Sequence, residues 1–192
     1  MKISRPTLVL MALTFVAGFC FDSAMLRLGA QTPVDNPELA RMYAEDQSDR
    51  TDAEKIGWDK ISERDATRLA GAKRIYQAGG LKSGGDYYHA AMILQHSHES
   101  ADYLLAHEFC VVAIGKGEDR AKWLAAATED RFLMQIGRPQ RFATQYRPEP
   151  PGSDGPIRLY KVDEAVTDGL RREFKAPSLA EARAKEAMFN KR

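Results

Sequence analysis

Cysteine is scarce in this chain. Its 192 residues hold only Cys20 and Cys110. Loss of an N-terminal leader would leave Cys110 alone and exclude an internal disulfide. Its setting, Phe109-Cys110-Val111-Val112, reads as a buried core thiol. Net charge is also missing. Twenty-eight Lys and Arg against 27 Asp and Glu give +1, and no basic run exceeds two residues outside mixed segments. That pattern carries no electrostatic footprint for nucleic acid. Familiar catalytic signatures are lacking too: there is no Gly-x-Ser-x-Gly, no P-loop, no dinucleotide fingerprint and no His-Glu-x-x-His. No cofactor is expected. The uncharged apolar run at residues 7–21 has 15 residues, short of the roughly 20 a membrane-spanning helix needs.

What is present suffices for a real core. Hydrophobic residues make up 44% and charged residues 29%, the balance of one ordinary globular domain. Residues 1–30 read as a signal peptide. Lys2 and Arg5 precede the apolar run, Asp22 ends it, and small residues lie near its exit at Ala17-Gly18 and after it at Gly29-Ala30. A periplasmic or secreted protein is expected from it; the alternative is an inner-membrane anchor formed by residues 7–21. Cys20 permits a lipoprotein reading as a third option. Residues 31–52 carry two prolines and six acidic side chains. They read as a polar linker with a weak helix, ahead of a single helical domain over 53–192.

Apolar spacing and punctuation predict the elements of that domain. Thr51-Asp52-Ala53-Glu54 has capping-box form and opens a helix to about Gln77, closed by Gly79-Gly80. A second helix spans 86–96. A third, 103–114, is apolar almost all round, which predicts a central position. A fourth, 119–136, ends at Gly137, and Pro139 forbids its continuation. The fold class expected is mainly α, with packed antiparallel helical hairpins of tetratricopeptide-like packing. No clear repeat is seen. A small C-terminal β-hairpin is expected from strands at 141–146 and 157–162, with Ile157 and Leu159 inward and Tyr160 outward. Ser178-Leu179-Ala180-Glu181 caps a charged last helix, expected to face solvent or stand partly detached.

Polar chemistry concentrates in residues 129–146. Asp130 shares a helix face with Trp123, Leu133 and Met134, so it is a candidate half-buried carboxylate. His96 with Asp130-Arg131, then Gly137-Arg138-Pro139-Gln140-Arg141-Phe142-Ala143-Thr144-Gln145, resembles an uncharacterised bacterial family. That family carries a Gln-His, an Asp-Arg and a Gly-(Lys/Arg)-Pro-Gln-x-(Tyr/Phe)-Gly-Thr-Gln signature. Asp168, Arg171 and Ala176-Pro177-Ser178-Leu179 are similar to its later segments. Ala143 stands where the signature has Gly. The resemblance implies a largely helical domain that often follows an export signal, and it implies no reaction.

Three readings compete. In the first, the corner is scaffold, with Asp130 paired to Arg131, Arg138 or Arg141 and the glutamines satisfying backbone groups. In the second, a protein partner or small-molecule ligand binds at Gln140, Thr144, Gln145, Arg138 and His107. The hydrolytic form of this site uses His96 as general base, Asp130 to orient His96 or His107, and Arg131 to clamp an anion. In the third, metal binds the His/Glu cluster at residues 96–108, where three of the four histidines fall; His-x-His there still needs a third ligand.

Overall fold

The computed structural model describes residues 33–191. The expected signal peptide or anchor at residues 1–30 lies outside them. Among the described residues the protein is mainly helical, with one two-stranded antiparallel sheet near the C-terminus. No described helix is long and apolar enough to cross a membrane.

The first helix, α1 (Pro37–Thr51), corrects the expected polar linker. Asn36 caps it by accepting the Glu38 and Leu39 amides at 3.0 and 3.1 Å, and Pro37 opens it. Leu39 and Met42 are buried in the core. Proline and acidic residues suggested a tether. Here the proline starts a helix, where its missing N–H costs nothing, and the acids meet arginines of a neighbouring helix.

A short turn, α2 (Ala53–Ile56), leads to α3 (Trp58–Gln77), then α4 (Gly84–Leu94), α5 (Ser100–Gly115) and α6 (Ala121–Gln135). Connections of a few residues join α4 to α5 and α5 to α6, and each pair packs closely, as in antiparallel hairpins. Small residues allow the close approach: Ala106 and Ala113 of α5, Ala121 and Ala125 of α6, all fully buried. The α5 helix is central on one face only. Phe109 and Cys110 are buried, yet Leu104, Val111 and Val112 are exposed. Burial pushes the Cys110 thiol up to about 12, so it is an inert core group.

Past α6, Gly137 adopts φ +76° and Arg138 N–H returns to the Leu133 carbonyl at 2.8 Å. This closes the helix end. The hairpin is shorter than expected: β1 (Tyr146–Pro148) pairs with β2 (Ile157–Leu159), Tyr146 opposite Leu159. Residues 141–145 are not strand: the amides of Arg141, Phe142 and Thr144 donate to Asp130 and that of Gln145 to Gln140 Oε1, not to a neighbouring strand. Tyr160 is buried, not outward. Pairing stops at Leu159, and Tyr160 N–H then donates to the Gln145 carbonyl at 3.1 Å. After α7 (Asp168–Glu173), the last helix α8 (Leu179–Phe189) docks on the open edge of β2. Asn190 Oδ1 accepts Ile157 N–H, its Nδ2 donates to the Ile157 carbonyl, and Glu186 accepts Leu159 N–H. Those side chains occupy the edge that another strand would otherwise use.

Candidate functional site

The Gly-Arg-Pro-Gln corner brings its polar residues together, and they consume one another. Asp130 is fully buried. Its carboxylate accepts the amides of Arg141 (2.7 Å), Phe142 (2.9 Å) and Thr144 (3.0 Å), and the Thr144 hydroxyl (2.7 Å). Among the described residues no arginine partners it. Burial pushes the carboxyl upward and outweighs the four donors that pull it down. Gln140, also fully buried, donates to the Gln145 and Tyr160 carbonyls at 2.9 Å and accepts Gln145 N–H at 2.8 Å. Gln145 donates to Thr144 Oγ1 at 2.9 Å and reaches the Ala127 carbonyl at 3.4 Å. Arg171 completes the weave. It is 2% exposed, and donates to the carbonyls of Val166, Arg141 and Asp163 and to Asp168 Oδ1. Buried backbone groups must be paired, and these side chains pair them.

The expected arrangement of Asp130 with a histidine is not made. His107 is half-buried and its Nδ1 lies 3.0 Å from the Ala125 carbonyl. Arg131 turns to Tyr103 rather than Asp130; burial lowers its guanidinium, and its Nε is buried without a partner. Arg138 is exposed and makes no ion pair among the described residues. It borders a shallow 340 Å3 depression with Pro139, Arg141 and Asp163. The metal reading also lacks a geometry. His96 and His107 face different partners, and among the described residues no three His, Cys, Asp or Glu side chains converge.

His96 instead meets Asp46 of α1. Its Nε2 lies 3.3 Å from Asp46 Oδ1, close but off the line of a hydrogen bond. Asp46 is 1% exposed and also receives Arg50 at 3.2 Å and Gln47 at 2.7 Å. Burial pushes its carboxyl up, but His96, Arg50 and Gln47 outweigh this and hold it below the usual range. From Arg50 the network continues to Asp65 (2.6 Å), Arg68 (2.6 Å), Asp49 (2.8 Å) and Arg64 (2.5 Å). It joins α1 to α3. Among the described residues His96 Nδ1 has no hydrogen-bond partner, and the side chain is 22% exposed. A neutral imidazole protonated on Nε2 has its lone pair on Nδ1.

That ring lines a 390 Å3 cleft with Arg50, Trp58, Asp65, His98 and Glu99. Gly57, at φ +86°, reverses the chain so that Trp58 begins α3; a side chain there would be strained. Trp58 is 65% exposed. The turn carrying His96 is fixed from behind. Ser97 Oγ donates to Asp102 and Tyr103 Oη donates to the Ser97 carbonyl, both at 2.5 Å, and Lys73 pairs with Asp102 at 2.6 Å.

Asp46, Arg50, Trp58 and Asp65 do not stand out in the sequence motifs. A signal exists nevertheless. Asp46, Asp49 and Arg50 on one segment, and Arg64, Asp65 and Arg68 on another, have complementary charges at helical spacing. No protein-family model, curated protein or solved structure matches the chain.

Proposed function

We propose that this is an exported helical domain that binds a small-molecule ligand or a partner in the His96 cleft. The observation that carries this reading is a 22%-exposed His96 ring, 3.3 Å from buried Asp46, lining a cleft that an exposed tryptophan also lines. The corner, the other candidate, has its carboxylate and both glutamines engaged by backbone groups. Its polar residues therefore serve as scaffold in this account. Export is supported by the charged, apolar and small-residue pattern of residues 1–30.

The dyad favours one second reading, a hydrolytic enzyme. A buried carboxylate 3.3 Å from an imidazole that lines a cleft would become the arrangement of a general base once the two align in a hydrogen bond. Asp46 takes the orienting role in that case, and Asp130 and Arg131 have none. The test for the site is amide chemical-shift mapping of the full-length chain against an aqueous fragment library. Binding is expected to move the Trp58 indole and residues 96–99. Hits that gather at residues 138–145 instead contradict the reading.

A further inference from the structure

We propose that the first half of α1 is an acid-released strap, docked on α4 while His89 is neutral and lifted from it when the ring takes up a proton.

Helix α1 has two moorings of different kinds. Its later turns are tied to α3 by ion pairs, Asp49 to Arg64 and Arg68, and Arg50 to Asp65. Its start is tied to α4. Asn36 N–H donates to Asp86 Oδ1 at 2.6 Å, and Ser83 Oγ donates to Asp35 Oδ1 at 2.5 Å. The Tyr43 ring lies on His89, with centroids 4.4 Å apart. His89 is 6% exposed, and its Nδ1 is buried with no hydrogen-bond partner among the described residues. A neutral imidazole protonated on Nε2 leaves only a lone pair there. A protonated ring carries N–H on both nitrogens. Nδ1 then becomes a buried cationic donor with no acceptor, which is costly.

The groups around the ring are already committed. Asp35, ahead of α1, accepts Ser83, and Asp86 of α4 accepts the amides of Asn36, Lys82 and Ser83. Glu118, ahead of α6, is paired with Arg120 at 2.7 Å. Arg120 adds a like charge, and Tyr88 flanks the ring with a phenol that burial keeps protonated. Burial outweighs the three carboxylates and holds the His89 imidazole below its ordinary range. The docked form therefore favours the neutral ring, and proton uptake favours a form in which water reaches Nδ1. Tyr43 is the α1 side chain over the ring, so lifting the start of α1 is the movement that admits water. Asp46 and Asp49 are held below the usual carboxylate range. The moorings on α3 thus persist where an imidazole titrates, and the response is confined to the first half of the helix.

The experiment is hydrogen exchange of the full-length chain, read by mass spectrometry between pH 7 and 5 and corrected for the intrinsic rate. Protection over residues 38–44 is expected to fall as pH drops below about 6.5, by at most about tenfold per pH unit, the slope of one proton. Residues 106–113 and 124–130 are expected to keep theirs. His89→Phe retains the stacking and is expected to abolish the fall. His96→Ala, which removes the other imidazole beside α1, is expected to leave it in place. A readout without variants is the nuclear Overhauser contact between the His89 and Tyr43 rings in the parent chain, expected to vanish as His89 protonates. Protection of α1 that is level with pH, a loss shared equally by α5 and α6, a fall that survives His89→Phe, or a protonated His89 still in contact with Tyr43 overturns the proposal.

Discussion

Asp130 and Arg171 divide the backbone of the corner between them. The carboxylate takes amides, the guanidinium takes carbonyls, and Arg141 gives its N–H to one and its C=O to the other. Asp130 as a half-buried carboxylate was legible from its place on an apolar helix face. Its partners were not, because backbone amides of a loop leave no mark in side-chain identity. The same loop holds Ala143, fully buried at φ +58°. A left-handed residue of this kind costs about 1–2 kcal/mol relative to glycine. Ala143→Gly loses a buried methyl but relieves the backbone, so stability is expected to change by less than about 1 kcal/mol. Ala143→Val places a β-branched side chain there and is expected to cost about 2 kcal/mol or more. Urea unfolding of both variants checks this; a harmless valine would mean that the loop is not held as described.

Between elements, the expected linker became a packed helix. The sequence suggested only a weak helix within residues 31–52, because the apolar signal is thin, with Leu39 and Met42 as the buried apolar pair, while the acids dominate the composition. Those acids are what dock α1 on α3, through Arg64 and Arg68 to Asp49 and through Arg50 to Asp65. A network can stabilise where an isolated surface pair would not. The helices α4 to α6 were legible in contrast, since glycines bound them and their small residues recur at helical spacing. Docking of α1 on α4 includes His89, stacked on Tyr43 at 4.4 Å with its Nδ1 buried and unpartnered. Burial holds its imidazole below the ordinary range, Arg120 adds to that, and Asp35, Asp86 and Glu118 oppose it. A lowered folded pKa means that the unfolded chain takes up the proton first. Stability from this group is therefore present above about pH 6.5 and is lost as pH falls toward the folded value. The slope approaches about 1.4 kcal/mol per pH unit at most. His89→Phe keeps the stacking and is expected to flatten the decline between pH 7 and 5.5 in denaturation curves. An unchanged decline would assign the acid sensitivity to other groups.

In the whole molecule, the polar residues that look most like a site are the ones most completely used by the fold. The less conspicuous cleft keeps its groups open. Chemistry of this kind separates by stability. Asp130→Asn puts an amide N–H2 against donors that expect an oxygen, with about 1–3 kcal/mol lost for each buried group left unpaired. His96→Ala removes a half-buried ring, and Asp46 retains Arg50 and Gln47. Paired urea unfolding of these two variants is the most direct test. The structure predicts a loss of about 2–4 kcal/mol for Asp130→Asn and less than about 1 kcal/mol for His96→Ala. Equal losses, or an Asp130→Asn protein as stable as the parent, would contradict the assignment of scaffold to the corner and of open chemistry to the cleft.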